Sequence, residues 1–396
     1  MTMTEKKNMA KEAVLASVPK DWEVCTLSEK YTISAAGDLD PSDFSKRKTS
    51  LYKYPIYSNA LQDGGIYGYC SKPRYAGNAI TITGRGDIGH CVYRQEKFSA
   101  IVRLLVCEPK EPICSSYIAA YLENTAPFVF ESTGVPQLTV PQIQDTPIPI
   151  PPLCEQERIA KVLEDTEALT VSMETLIAKK KAIMQGVVEQ LLSGRLRLNG
   201  YSDPWGKAAL GEIGTMYAGG TPPSDVAEYY AGDIPWVSIS DMSAGNKYIE
   251  TTQNFLSQKG IENSPAKIYP AGTLLFAMYA SIGKCCIARG QVSSSQAVLG
   301  IYDLKNYSIE FLYYVLSSKT RIFQQLGQTG TQSNLSKDIM MGFVVPVPGR
   351  EEQEAIAAVL SDMDREIEAL TRKLAKHRLI QQGMLQQLLT GRIRLL

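Results

Sequence analysis

The chain has only two histidines, His90 and His377, and its eight cysteines include no Cys-x-x-Cys pair. The usual ligand sets for zinc are therefore missing. No Gly-x-x-x-x-Gly-Lys-Ser/Thr segment occurs, which excludes an ordinary nucleoside-triphosphate loop. There is no Asn-Pro-Pro-Tyr or Asp-Pro-Pro-Tyr segment to place a flipped base beside a methyl donor, and no nuclease-like set of paired carboxylates with a lysine. Net charge is lacking as well: 41 basic residues balance 41 acidic ones. The basic excess that usually marks a nucleic-acid binder is thus absent, and any such role must come from local patches or from partners. No apolar run approaches the ~20 residues of a membrane span. The first residues, MTMTEKKNMAKEAVLAS, are charged and carry no continuous apolar core, so they are not read as a signal peptide. Scattered unpaired thiols fit a reducing compartment. The expectation is a soluble, cytoplasmic, non-catalytic protein without a metal or cofactor of its own.

What the chain does have is a duplication. EQERIAKVL (Glu155 to Leu163) returns as EQEAIAAVL (Glu352 to Leu360), and QLLSGRLRL (Gln190 to Leu198) as QLLTGRIRL (Gln387 to Leu395). One offset serves both pairs without a gap, and about 20 of about 44 aligned positions are identical. Each copy has the same order: a globular stretch, a proline-rich strand, a long helix, then Gly-Arg-x-Arg. Trp22, Leu27 and Glu29 match Trp205, Leu210 and Glu212 in spacing, although the second globular stretch is about 14 residues longer.

PIPIPP (Pro147 to Pro152) and VPVP (Val345 to Pro348) predict extended segments, because proline and the residue before it resist helix. Helices should start right after them, with Glu155 and Glu157, or Glu351, Glu352 and Glu354, complementing the dipole. Gly194 and Gly391 are placed as C-terminal caps. The run between is about 38 residues, or roughly 57 Å. A 4-3-4-3 spacing selects Ile159, Leu163, Thr166, Thr170, Met173, Ile177, Lys180, Met184, Val187 and Leu191 in the first copy. In the second it selects Ile356, Leu360, Met363, Ile367, Leu370, Leu374, His377, Gln381, Met384 and Leu388. These are heptad seams with a few polar interruptions, and two matched seams in one chain most simply pack together. Duplication alone leaves parallel and antiparallel packing open.

The globular stretches are β-rich: Tyr54 to Tyr69, Asn78 to Arg94 and Gly272 to Arg289 alternate aromatic or β-branched runs with glycine. Each holds one helical run, Ser115 to Asn124 and Ile309 to Ser318. Gly84-Arg-Gly86-Asp-Ile-Gly89 matches Gly-x-Gly-x-x-Gly, but a strand-like segment follows it, so it reads as a tight β-hairpin. Cys285-Cys286 has no histidine nearby in sequence and reads as structural, leaving an enzyme built on those thiols remote. Polar and basic side chains on glycine-rich loops remain: Lys72 and Arg74 around Pro73, Arg85 at a hairpin tip, Lys284 after the matching turn, and Gln332 and Asn334 ahead of the second proline strand. Such side chains read base edges or hold phosphates, whereas any one alone is ordinarily a solvated loop residue. The run Lys179-Lys180-Lys181, with Arg195 and Arg197, reads as a solvated helix face that could also meet phosphates.

The whole length resembles the specificity (S) subunits of type I restriction–modification enzymes. The resemblance rests on PxPPLCEQERIAKVL from Pro149, PVPGREEQEAIAAVL from Pro346, the LLSGRLRL and LLTGRIRL ends, the opening GGTPPSDVAEYYAGDIPWVSISDM (Gly219 to Met242), and GTQSNLS (Gly330 to Ser336). The first copy departs from the last of these, with Val135-Pro136-Gln137 where the second has Gln332-Ser333-Asn334. The implied fold is α+β, with two β-rich globular target recognition domains separated by two long antiparallel α-helices. These helices form a coiled-coil spacer within an internal pseudo-two-fold repeat. The implied layout is an N-terminal helical segment (1–18, with Thr4 to Ser17 near the C-terminal helix), recognition domains at 19–151 and 199–347, and helical spacers at 152–198 and 348–396. The implied function is non-catalytic recognition of a bipartite, asymmetric site in double-stranded DNA. Two modification (methyltransferase) subunits would dock on the helices and bring S-adenosylmethionine. Restriction subunits would add ATP- and Mg-dependent translocation and cleavage. A spacer of roughly 57 Å would place half-site centres between one and two duplex turns apart. The rival reading is a coiled-coil scaffold that assembles partner proteins without reading DNA.

Overall fold

The computed structural model describes residues 12–125, 128, 136–243, 247–327 and 334–396. The chain forms two compact units, one of Met1–Glu174 with Arg372–Leu396 and the other of Thr175–Thr371. The expected borders at 151/152 and 347/348 fall where strand hands over to helix. Compactness divides the chain elsewhere, in the middle of both long helices, because each half-helix packs with the globular region beside it. Of the expected N-terminal segment, a helix over 12–17 is described, and Thr4 lies outside the described residues.

Unit one carries β1 (Glu23–Thr26), β2 (Tyr31–Ala35), β3 (Tyr54–Tyr57), β4 (Ile66–Cys70), β5 (Ala79–Ile82), β6 (Cys91–Arg94), β7 (Ser99–Ala100), β8 (Leu105–Pro109) and β9 (Pro147–Ile150). Its sheets run β2-β8-β5-β6, β4-β3-β7 and β1-β9. Unit two carries β10 (Gly206–Ala209), β11 (Thr215–Ala218), β12 (Ile234–Val237), β13 (Tyr248–Ile249), β14 (Asn254–Leu256), β15 (Leu274–Ala277), β16 (Cys285–Ala288), β17 (Ser293–Ser294), β18 (Val298–Tyr302) and β19 (Val344–Val347). Its sheets run β11-β18-β15-β16-β13, β14-β12-β17 and β10-β19. The same plan is built twice. The proline strands β9 and β19 pair with the first strand of their own unit, where a missing N–H matters least because the ladder has only two strands. One expectation needs correction: beside Ile309–Ser318, unit two has a further helix, Thr320–Gly327, and several one-turn helices such as Gln258–Glu262. The buried Phe323 of Thr320–Gly327 packs on Phe276 and Phe343, which gives that segment a reason to fold.

The central helix (Leu153–Leu192) and the C-terminal helix (Arg350–Leu389) each span 40 residues, roughly 60 Å. Each of the expected seam residues Ile159, Leu163, Met173, Ile177, Met184, Leu191, Ile356, Leu360, Ile367, Leu370, Leu374, Met384 and Leu388 is buried or half-buried. Within unit one the two half-helices run antiparallel, and the polar interruptions of the seam meet one another. The His377 ring Nε2 lies 3.1 Å from the Thr166 carbonyl, and the Thr170 hydroxyl donates to Gln381 Oε1 at 3.1 Å. Gln381 also donates to Glu167 at 2.8 Å. In unit two, Lys180 reaches across to Glu366 at 2.7 Å. That middle lysine of the Lys179–Lys181 run is thus a helix-pairing residue. Polar partners inside an apolar seam penalise every other register, since a slip would leave them unpaired.

The residues that recur between copies hold helix ends to sheets. In unit one, Glu155 is 1% exposed and receives Arg394 through two bonds of 2.7 and 2.8 Å. It also accepts the indole N–H of Trp22 at 3.3 Å. In unit two, Glu352 is 2% exposed and takes Arg197 at 2.6 and 2.9 Å and the Trp205 indole at 2.9 Å. The glutamine that follows each glutamate is buried too. Gln156 accepts the Cys114 amide at 3.0 Å, and Gln353 the Ser308 amide at 2.7 Å, so each fastens the start of its unit's sheet-covering helix. Gly194 and Gly391 (φ 70° and 66°) turn the chain so that the arginines can reach back. At Gly391 a Cβ would fall 2.4 Å from Pro19 Cδ, so any other residue would have to push Pro19 aside.

Glu155→Ala should cost about 1.5–3 kcal/mol in chemical denaturation, because it removes the charge-assisted bonds to Arg394 and the acceptor of the Trp22 indole, while Asp21 still holds the guanidinium at 2.8 and 2.9 Å. Arg394 holds the Glu155 carboxyl below its ordinary range. The unfolded chain therefore binds the proton more readily, and the contribution is complete above the unfolded value of about 4.3. It is lost as the pH falls through the lowered folded value. The stability gap between wild type and Glu155→Gln should accordingly narrow below about pH 4.

Candidate nucleic-acid interface

Each unit presents a hairpin end built on the same backbone. In unit one, β5 and β6 pair through Ile82 and Cys91, and Thr83 N donates to His90 O at 3.0 Å. Gly89 N then donates back to Thr83 O at 2.8 Å. In unit two, β15 and β16 pair through Phe276 and Cys285, Ala277 N donates to Lys284 O at 2.9 Å, and Gly283 N to Ala277 O at 3.0 Å. The two turns are equal in length. Gly86 and Gly89 (φ 73° and 89°) correspond to Ala280 and Gly283 (φ 53° and 85°). The Gly-x-Gly-x-x-Gly match is therefore a hairpin, with β6 and no helix after it. It is wider than a tight turn, because residues 83–90 lie between the strands.

A second segment docks on each turn. Leu138 N donates to Gly84 O at 2.9 Å, and Leu335 N donates to Met278 O at 3.1 Å. Both leucines are buried. Thr139 and Ser336 then cap short helices, Val140–Ile143 and Lys337–Met341. Gln137 and Asn334 consequently stand at matching places beside the two turns. The side chains on this shared frame differ. Unit one shows Arg85 where unit two shows Tyr279, Asp87 where it shows Ser281, and His90 where it shows Lys284. The exposed Arg85 guanidinium donates Nε and Nη2 to Gln137 Oε1 at 3.3 and 2.9 Å. His90 Nδ1 meets Glu123 at 2.8 Å, and Lys284 Nζ donates to the Ser243 carbonyl at 3.1 Å. Gln332 lies outside the described residues, while Asn334 is half-buried.

Lys72 and Arg74 do not join this cluster. They line a separate cavity of about 430 Å³ in unit one, together with Asp38, Asp40 and Asp43. Asp43 accepts from the Ser71 hydroxyl at 2.7 Å and from the amides of Ser71 and Lys72 at 2.9 Å each. Those bonds hold its carboxyl below the ordinary range and keep it charged. Three carboxylates on that rim oppose a phosphate, so the expected set divides: Arg85 on the hairpin, Lys72 and Arg74 in a mixed-charge cleft. Tyr279 and Gln137 escaped notice as site residues in the sequence. The shared Ile-Gly pairs, Ile88-Gly89 and Ile282-Gly283, held the signal: aligning the turns on them puts Tyr279 opposite Arg85.

Cys285 and Cys286 are buried within β16. Burial pushes the Cys286 thiol up to about 12 and the Cys285 thiol higher still, which suits packing and not attack. Among the described residues no cluster of histidine, cysteine and carboxylate is arranged to hold a metal, and no helix is long and apolar enough to cross a membrane.

Two copies of one β frame with unlike side chains at the same loop positions define a double-headed binding protein. The family model for the type I restriction modification DNA specificity domain matches twice, over residues 19–183 and 202–376. The chain belongs to that family, as a DNA sequence-recognition subunit, and this decides against a scaffold indifferent to sequence. It is 30% identical to the type I restriction enzyme MjaIX specificity subunit of Methanocaldococcus jannaschii, over 41% of this chain and 39% of that one. It is 24% identical to the EcoR124I/EcoR124II specificity subunit of Escherichia coli, over 71% of this chain and 70% of that one. In fold it is similar to the type I S subunit from M. genitalium, with a TM-score of 0.64 at 14% identity, covering 94% of this chain and 96% of that one.

Gly283→Ala should destabilise unit two by about 1–3 kcal/mol, since its φ is positive and the new Cβ would lie 3.0 Å from Thr320. Ala280→Gly should change stability by less than about 1 kcal/mol, because relief of the positive φ offsets the added chain entropy. Thermal unfolding of the two variants checks the loss at Gly283 and the near-neutrality at Ala280.

Proposed function

We propose that each globular region reads one half of a two-part, asymmetric site in double-stranded DNA, and that the long helices set the gap between the halves. The observation that carries this reading is the twice-built hairpin frame with Arg85 and Gln137 on one copy and Tyr279 and Asn334 on the other. Equal frames with unequal side chains present two different donor and acceptor patterns to base edges. The chain itself is non-catalytic in this reading and acts in the cytoplasm. S-adenosylmethionine, ATP and Mg belong to partner subunits that methylate, translocate and cleave.

Two modification subunits dock on the helices. In unit one an apolar groove of about 370 Å³ is lined by Val162, Ile380, Gly383, Met384, Leu388 and Ile393. The repeat places Val359, Ile183, Gly186, Val187, Leu191 and Leu196 at the equivalent positions of unit two. Ile380 and Ile183 are each 49% exposed, yet both copies keep isoleucine there. Gly383 and Gly186 lie inside helices with open space above them. Glycine there costs about 1 kcal/mol relative to alanine, which a closely approaching partner helix would explain. Restriction subunits join the assembly through those partners.

Replacing residues 19–151 by those of a relative should change one half of the methylated motif and leave the other intact, as read by mapping modified adenines. An unchanged motif would sink the proposal. Ile380→Asp should remove one of two bound modification subunits in native mass spectrometry, Ile183→Asp the other, and the double variant both.

A further inference from the structure

The hairpin of unit one carries a side-chain pair that reaches beyond family-level recognition. We propose that Arg85 reads the guanine of one G·C pair in the major groove, and that Gln137 is its positioning residue. The assignment rests on the proposed reading that this face meets DNA.

The geometry is specific. A free arginine at a loop tip samples many rotamers and pays for ordering on contact. Here one acceptor, Gln137 Oε1, takes both the Nε and an Nη2 donor of Arg85, at 3.3 and 2.9 Å. Two donors directed at one oxygen fix the guanidinium plane. Of the five N–H donors of arginine, three remain, and none has a partner among the described residues. Guanine offers O6 and N7 side by side, the planar acceptor pair that a guanidinium fork matches. A phosphate also accepts a guanidinium fork, so the two contacts are told apart by their sequence dependence and salt dependence.

The base of the pair is as firmly held as its tip. Gly84 N donates to Asn59 Oδ1 at 2.7 Å, and Asn59 Nδ2 donates to Val102 O at 2.6 Å. Thr83 Oγ1 bridges the turn, donating to Asp87 O and accepting the His90 amide at 2.9 Å. Gln137 is anchored by its neighbour Leu138, which is buried and bonded to Gly84. Arginine and glutamine are therefore mounted on two segments tied to each other at Gly84. Unit two holds the same tie between Met278 and Leu335 but presents Tyr279, which lacks a fork. The preference for guanine at this position is thus peculiar to unit one.

The test is selection of random duplexes by the full chain in complex with the subunits that co-purify with it, followed by affinity measurement on the selected site. Wild type is expected to require a guanine at one position of the half-site lost in the 19–151 exchange. Arg85→Ala should relax that position alone, by about 5- to 150-fold in discrimination, with the other half-site unchanged. Gln137→Leu should weaken the same discrimination. Gln137→Glu, which keeps the acceptor, should retain it even where its charge lowers affinity for all sequences alike. Suppose instead that Arg85→Ala lowers affinity equally for every sequence and reduces the salt slope by about one. Arg85 is then a phosphate contact, and the assignment is overturned. It is equally overturned if Gln137→Leu leaves the preference intact. A wild-type complex with no sequence preference at all would defeat the DNA-reading proposal itself, an outcome distinct from either.

Discussion

The carboxylate at the start of each long helix is the constraint on which the rest depends. Glu155 and Glu352 sit where apolar side chains would otherwise pack, and a buried charge is tolerable only when fully partnered. Each is partnered by an arginine that arrives from the end of the other helix and by a tryptophan from the start of its own globular region. Three chain segments distant in sequence are thereby brought to one point. Removing the arginine leaves a buried charge unmet, and removing the glutamate leaves the indole N–H without its acceptor.

From that point the architecture follows. With the arginine of one helix end bound beside the first turn of the other helix, the pair within each unit can only run antiparallel. The following glutamines fix the helices that cover the sheets, and the sheets fix the hairpins. A rigid hairpin gives the loop side chains defined directions, and defined directions are what base reading requires. The loop side chains are then free to differ, since backbone hydrogen bonds hold the shape of both turns. This explains why the two copies share helices and diverge in their loops: the shared residues meet each other, while the same turn accepts the exposed Arg85 in one copy and the half-buried Tyr279 in the other.

The seam follows the same logic at lower stakes. Thr166, Thr170, His377 and Gln381 each look like a defect in a heptad pattern taken singly. Together they form one polar layer in unit one, whose counterparts in unit two are Met363, Ile367, Lys180 and Met184. Like-with-like pairing differs between the units, so the two halves of the helix pair are chemically distinct although their backbones repeat.

The sequence alone determined what depends on local pattern and on repetition. Proline strands, helix starts and stops, seam residues and the duplicated order all follow from rules acting over a few neighbouring residues, and the family was legible in the repeated EQE and Gly-Arg-x-Arg segments. The tertiary structure decided what depends on residues far apart. Only folding revealed that the second arginine of Gly-Arg-x-Arg answers the glutamate of the opposite helix. It alone separated Lys72 and Arg74 from Arg85, because an aspartate-lined cleft is a property of space and not of spacing. It alone put Gln137 against Arg85, since the sheet that brings those loops together is fixed by hydrogen bonds between strands that no single segment encodes.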